Sequence, residues 1–181
     1  MSPPTIYPSS APSVPLPTSS VFTHLLNLDP SNGYIGGYPG SYPAFMDANT
    51  SATLSRSSLR SLCLLFGYGV THSPPTPQKL AKGDVIMIFS PNSLAWPIVL
   101  LGAVSAGVRC TLANSGYTPS ELKHQWTDSG AKVLFAHPSL VDVARKMFGT
   151  EMGYGEDEVR RRIVVIGTEW LTGAKDEGTL H

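Results

Sequence analysis

The chain has 181 residues, enough for one domain of ordinary size and too few for two full catalytic domains. Thirteen Lys plus Arg balance thirteen Asp plus Glu and only 14% of residues are charged, so no excess charge recruits nucleic acid or an acidic membrane surface. The apolar share of 41% can build a core, and 17 glycines with 16 prolines stay below the level of a low-complexity chain, which leaves a globular α/β or α+β domain.

Six of the first twenty residues are proline and none of the twenty is charged, so residues 1–20 are expected to form an extended strap. Val21, Phe22, Leu25 and Leu26 then recur at helical spacing after Ser19 and Ser20, which can cap, and Pro30 stops the run. Gly33, Gly36, Gly37 and Gly40, interleaved with Tyr34, Tyr38 and Tyr42, read as loop, and Pro43 to Ala48 as a short strand. From Arg56 the apolar positions Leu59, Leu62, Cys63 and Phe66 define one packed helix face, with Arg56 and Arg60 on the solvated side and Gly67 and Gly69 ending the helix. Thr71 to Lys82, with three prolines, reads as a surface loop.

Between Asp84 and Arg109 lie 24 residues without a formal charge, a length that invites a membrane reading. The polar turn Ser90-Pro91-Asn92-Ser93 divides that stretch into a β-like run and a helix-length run of about fifteen residues, short of the roughly 20 that a spanning helix needs. Strand-like runs at Asp84 to Phe89, Val108 to Leu112, Lys132 to Ala136 and Arg162 to Ile166 are separated by segments long enough for a helix each. That βαβαβαβ alternation from about residue 83 predicts an α/β fold with a mainly parallel, doubly wound sheet that is incomplete at this length. Thr118 as N-cap, Pro119 in the first turn, Glu121 closing a capping box and Gly130 beyond the end fix the middle helix. A further helix runs through Leu140, Val143, Ala144 and Met147 with Ser139 as cap, and Gly149 to Glu158 reads as a mobile loop.

The chemistry-bearing residues form no recognisable constellation. Cys63 and Cys110 belong to no CxxC or Cys/His cluster and read as two buried reduced thiols. His24, His72, His124, His137 and His181 have no metal-ligand spacing, and no GxSxG elbow or post-strand GxGxxG is present. The approach to a phosphate loop from Gly167 to Gly173-Ala174-Lys175 has the wrong spacing and no hydroxyl residue after the lysine. Glu156-Asp157-Glu158 before Arg160-Arg161-Arg162 reads as a solvated charge run leading into a strand, and Arg145-Lys146 complements a helix dipole. Asn49-Thr50-Ser51 fits a glycosylation sequon, but Met1-Ser2-Pro3-Pro4 lacks the basic and apolar regions of a secretory signal. With no peroxisomal signal at the carboxyl terminus either, the expected compartment is the cytoplasm.

Taken together, residues 82–93, Leu101-Gly102-Ala103 with Ala106-Gly107, Ala113-Asn114, Tyr117-Thr118-Pro119-Ser120-Glu121-Leu122 and Ser129-Gly130-Ala131-Lys132 resemble the AMP-forming acyl-CoA synthetases. Within that adenylate-forming superfamily the chain is most similar to 4-coumarate:CoA-ligase-like and luciferase-like members. Weaker likeness extends to Ile6-Tyr7-Pro8, Val14-Pro15-Leu16-Pro17, residues 43–48 and residues 54–60. The resemblance implies three parts: a strap over 1–20, the amino-terminal portion of an AMP-binding domain over 21–175, cut before the phosphate loop, and a tail over 176–181.

It implies a family reaction in which ATP activates a carboxylic acid as an acyl-adenylate that is passed to CoA, with ATP, Mg and CoA as the reagents of the intact enzyme. The phosphate loop, the aromatic-Gly-x-Thr-Glu motif, the ribose-binding aspartate, the hinge and the C-terminal catalytic lysine of that family are all expected beyond His181. Gly167-Thr168-Glu169 is only an echo of the second of these, because Ile166 stands where an aromatic would.

No catalytic, cofactor-binding or metal-binding residue is therefore assigned, and the Ser90-Pro91-Asn92-Ser93 turn is expected to cap a helix. Asn114 and Tyr117 are left between lining a tunnel and packing against later sequence. The expected protein is a ligase-like chain inactive by itself, or a half-domain that assembles with a complementary chain or with itself. A self-sufficient nucleotide-binding domain is disfavoured by the missing glycine-rich turn.

Overall fold

The computed structural model describes residues 10–12, 15–72 and 79–167. Within the strap the described residues form neither helix nor strand, and Leu16 is 85% exposed. The first helix, α1 (Val21–Leu26), starts where Ser20 Oγ accepts the N–H of Thr23, and it buries Phe22 and Leu26. The glycine and tyrosine stretch is not a plain loop. It forms an antiparallel meander of two-residue strands, β1 (Leu28–Asp29), β2 (Tyr34–Ile35) and β3 (Tyr38–Pro39). The turns need left-handed backbone at Gly33, Gly36 and Gly37, and strands this short leave no alternating pattern to read. The next strand, β4 (Pro43–Met46), stops two residues earlier than expected and pairs with an unforeseen partner, β5 (Thr53–Ser55), across a turn organised by Asp47.

The helix α2 (Arg56–His72) runs straight through both glycines expected to end it. Gly67 is buried because the helix is crossed there by a later one, and its missing side chain allows the approach. Arg56 and Arg60 are not simply solvated either. Arg56 Nε donates to Ile35 O at 2.7 Å, and Arg60 Nε donates to Leu26 O at 3.0 Å, so both tie the amino-terminal elements onto α2. Half of the expected Thr71–Lys82 loop, residues 73–78, falls outside the described residues; Thr71 and His72 belong to α2 rather than to a loop, and Leu80 is buried with its N–H donating to Val70 O.

The second part of the chain follows the predicted alternation closely: β6 (Val85–Phe89), α3 (Ala95–Ser105), β7 (Arg109–Ala113), α4 (Pro119–Ser129), β8 (Val133–Ala136), α5 (Val141–Lys146), α6 (Glu156–Arg162) and β9 (Ile163–Val165). The four strands form one parallel sheet in the order β7-β6-β8-β9. Pleat alternation sends Met87, Phe89, Leu134 and Ala136 to one face, under α4 and α5. Ile86, Ile88, Val133 and Phe135 face the other way, toward α3 and the end of α2. A third cluster joins α1, β2, β5, α2 and α3 around Leu26, Ile35, Leu54, Leu59, Cys63 and Ile98. The uncharged stretch that invited a membrane reading is β6 plus the eleven-residue α3, apolar on all sides because it is packed on the sheet and under α2. Among the described residues no helix is long and apolar enough to cross a membrane.

Helix α4 has the predicted capping box at Thr118 and Glu121 and a left-handed Gly130 at its end. The remaining boundaries differ. Ser139 does not cap α5; a short 3₁₀ turn over Pro138–Leu140 intervenes, and the His137 side chain accepts the N–H of Ser139 at 3.3 Å. The expected loop over Gly149–Glu158 instead contains a wide π turn (Met147–Glu151) and the start of α6. The charge run is one helix with its three acids in the first turn and its three arginines in the last, each sign stabilised by the dipole end it meets. Arg162 belongs to that helix, bonded to Glu158 one turn back at 2.7 Å, rather than to the strand.

Candidate functional site

In an open parallel sheet, ligands bind outside the carboxyl ends of the strands where the strand order reverses. Here the chain leaves β6 toward β7 on one side and returns to place β8 on the other, so that point lies beyond Phe89 and Ala136. Ile88↔Phe135 and Phe89↔Ala136 set the register, and the N–H of His137 donates to Phe89 O at 3.0 Å, closing the end of the sheet. Three turns surround it: residues 90–93 after β6, 114–118 after β7 and 137–139 after β8.

Most polar groups of these turns bond locally. Ser90 Oγ donates to Pro91 O at 2.7 Å. Asn114 Oδ1 accepts the N–H of Gly116 at 2.9 Å and Asn114 O accepts that of Tyr117 at 3.0 Å, so these two residues shape the turn into α4, with Asn114 exposed and Tyr117 half-buried. Thr118 and Glu121 are bonded to each other, and the Thr118 backbone N–H, followed by its side chain, holds the Glu121 carboxyl below its ordinary value. His137 Nδ1 is 2.8 Å from Ser139 Oγ. The expected capping by the Ser90–Ser93 turn is not present: Leu94 precedes α3 with helical backbone and no side-chain cap, and only the Ser93 carbonyl bonds the Trp96 N–H, at 3.2 Å.

Ser93 is the exception among these groups. Its Oγ is buried with no hydrogen-bond partner among the described residues. Ser93 is one of the residues around a groove of about 520 Å³ whose other walls include Phe45, Asp47, Asn92 and Trp96. Asp47 is occupied in its own turn. The Thr50 backbone and side chain, then the Asn49 N–H, lower its carboxyl pKa. The sequon residue Asn49 sits in that exposed turn.

The two thiols are free. Burial pushes Cys63 up to about 12 and Cys110 up to about 11, with Cys63 fully buried and Cys110, contrary to expectation, only half-buried on an edge strand. His24 and His124 are exposed, His72 stacks on Tyr68 at 4.0 Å between ring centroids, and His181 lies outside the described residues, as do Lys175 and the Thr168-Glu169 echo. Among the described residues no group of three or more His, Cys, Asp or Glu is placed to hold a metal ion.

Sequence reasoning missed Gln125, whose Nε2 donates to Thr111 Oγ1 at 2.6 Å and Leu112 O at 3.1 Å and so covers the outer edge of β7. Nothing local to Gln125 signals that contact, which depends on how α4 lies against the strand.

A parallel, doubly wound sheet whose order reverses at its first strand places the chain among α/β folds built to take a ligand at the strand ends. The AMP-binding enzyme family matches residues 41–178, and the chain belongs to that family. It is 33% identical over 132 residues to a 4-coumarate–CoA ligase-like protein of Arabidopsis thaliana, an alignment covering 68% of this chain and 22% of the relative. It is 44% identical over 101 residues to a long-chain-fatty-acid–CoA ligase of Yersinia pestis, covering 56% of this chain and 16% of that one.

The chain therefore spans about a fifth of the length of these relatives. Among solved structures, a benzoate CoA ligase from Burkholderia xenovorans LB400 superposes with a TM-score of 0.59 at 18% identity, over 82% of this chain and 26% of the other. A luciferase-like enzyme from the nonluminescent Zophobas morio mealworm gives 0.57 at 16% identity, over 67% and 27%. These two similarities show the fold alone, an α/β architecture shared over the superposed part of each chain.

Proposed function

We propose that residues 21–175 are the opening portion of an acyl-CoA ligase domain, preceded by the 1–20 strap and followed by the 176–181 tail, and that this portion supports the reaction without performing it. The intact ligase would use ATP and Mg to convert a carboxylic acid to an acyl-adenylate and then a CoA thioester. The observation that carries the reading is the internal use of the polar groups at the strand ends. Ser90, Asn114, Thr118, Glu121 and His137 all bond within their own turns, and the turn after β6 has no glycine through which backbone N–H groups could approach a phosphate.

Stabilising a transferring phosphoryl group needs preorganised donors and a metal, and the Ser93 hydroxyl, unpaired among the described residues, does not supply them. On this reading the described residues at the strand ends do not themselves hold ATP, Mg or CoA, and no catalytic step is assigned to them.

Carboxylate-dependent exchange of labelled pyrophosphate into ATP tests this. The purified chain should show no exchange above a boiled control, and reproducible exchange would overturn the reading. A second reading, a half-domain completed by another chain, is favoured by the exposure of Val165 (53%) on the edge strand β9 and of Leu65 and Tyr68 on α2. Under it, exchange appears on co-expression with a chain carrying the phosphate loop, and failure of that complementation removes it.

A further inference from the structure

The turn between β1 and β2 holds the chain's single Asn-Gly pair: of five asparagines, only Asn32 is followed by glycine. Such a pair rearranges without an enzyme, because no side chain on the second residue shields the backbone nitrogen that attacks. Once base removes its proton, the Gly33 nitrogen bonds to Cγ of Asn32. The Cγ–Nδ2 bond breaks, and ammonia leaves with a proton taken from water. A water molecule then opens the cyclic imide at either carbonyl, giving aspartate or isoaspartate, and water is the only reagent consumed.

Asn32 and Gly33 are exposed, and a Cβ on Gly33 would meet nothing within 4 Å, so the turn has room for the ring. The nucleophile is nevertheless occupied, since the Gly33 N–H donates to Asp29 O at 2.9 Å. The Asn32 side chain is held as well, its Oδ1 accepting the Tyr34 N–H at 2.8 Å. Asp29 fixes the same turn through its carboxylate, which accepts the Ser31 N–H at 2.9 Å and the Ser31 hydroxyl at 2.6 Å. Removing the Gly33 proton requires its hydrogen bond to open first, the condition that also governs amide exchange. Strands of two residues on either side offer little resistance to that opening. The restraint comes from α2, where Arg56 Nε donates to Ile35 O at 2.7 Å and the guanidinium lies over the Tyr38 ring.

We propose that Asn32 is a site of conversion to aspartate and isoaspartate by water, latched by the Gly33–Asp29 bond and released when the amino-terminal elements come away from α2. The isoaspartate product makes the release one-way. It adds a carbon to the main chain inside a turn whose register is Leu28↔Ile35 and Asp29↔Tyr34, so the meander no longer closes as before. This goes beyond the ligase reading and does not depend on it.

Peptide mapping of the full chain incubated at mildly alkaline pH, with isoaspartate resolved by chromatography, tests the proposal against a synthetic peptide of residues 28–38. Asn32 in the folded chain should convert at least about tenfold more slowly than in the peptide. Arg56→Ala, and separately Asp29→Ala, should each bring the rate severalfold back toward that of the peptide while β6 amides keep their exchange protection. Across a sub-denaturing urea series, conversion in the unmodified chain should track hydrogen exchange over residues 21–40. Conversion at the peptide rate in the unmodified chain overturns the proposal, as does slowing that persists in both variants. A rate that tracks exchange of β6 instead also overturns it, since global unfolding would then control the reaction.

Discussion

A Cβ placed on Gly67 would stand 2.8 Å from the carbonyl oxygen of Gly102, so α2 and α3 cross at a point where both helices present bare backbone. The reverse holds at Gly102, where an added Cβ would meet Cys63 O at 2.8 Å and the Phe66 ring at 2.8 Å. Gly102→Ala should therefore destabilise the protein by ~1–3 kcal/mol despite the better helix propensity of alanine, because the groups that must yield include backbone. Gly69, two residues on in the same helix, has nothing within 4 Å of its would-be Cβ, and Gly69→Ala should stabilise by up to ~1 kcal/mol. Urea midpoints of the two variants should move in opposite directions.

The attachment of the amino-terminal elements rests on Arg56 and Arg60. Arg56 reaches Ile35 O and Leu25 O and lies 4.9 Å from the Tyr38 ring centroid, while Arg60 holds Leu26 O. Arg56→Ala should cost ~1–3 kcal/mol by leaving these carbonyls without their donors. Hydrogen exchange should accelerate over residues 21–40 and remain slow in β6, since the parallel sheet has its own two clusters. Equal acceleration in both regions would mean that the two parts unfold as one unit.

Thr118→Ala removes the side-chain half of the α4 capping box, in which Thr118 Oγ1 accepts the Glu121 N–H at 3.4 Å and the Glu121 carboxylate accepts the Thr118 N–H at 2.8 Å. A loss of about 1 kcal/mol is expected in chemical denaturation. An unchanged midpoint would show that the long 3.4 Å bond contributes nothing.

Asp84 couples the start of β6 to the start of β8. Its carboxylate lies 2.7 Å from Lys132 Nζ and accepts the Ala81 N–H at 2.8 Å, and the Lys132 bond, followed by that from Ala81, lowers its pKa below the ordinary 3.8. The folded protein thus binds this proton less readily than the unfolded chain. The stabilisation is complete above the unfolded value of 3.8 and is lost as pH falls through the lower folded value. Asp84→Asn should lower the denaturation midpoint at pH ~7 and narrow its gap to the parent protein at pH ~3. A gap that stays constant with pH would show that neither the Lys132 nor the Ala81 bond favours the ionised carboxylate in the folded protein.

The sequence by itself determined the parts whose causes are local. The α4 boundaries follow from Thr118, Pro119, Glu121 and Gly130, and the four sheet strands from apolar runs separated by helix-length segments, because caps and periodicity act over a few residues. The block pattern across residues 82–132 carried the family likeness for the same reason: it reads directly along the chain.

Only the tertiary structure decided that α2 passes through Gly67 and Gly69, since the crossing partner at Gly102 lies 35 residues away and a glycine needed for close packing looks in sequence like a terminator. It likewise decided that Arg56 and Arg60 bind carbonyls of the amino-terminal segment, that Gln125 covers the edge of β7, and that the Ser93 hydroxyl has no partner among the described residues. Each depends on where a distant backbone group falls, and hydrogen-bonding demand can be satisfied by any neighbour that packing supplies.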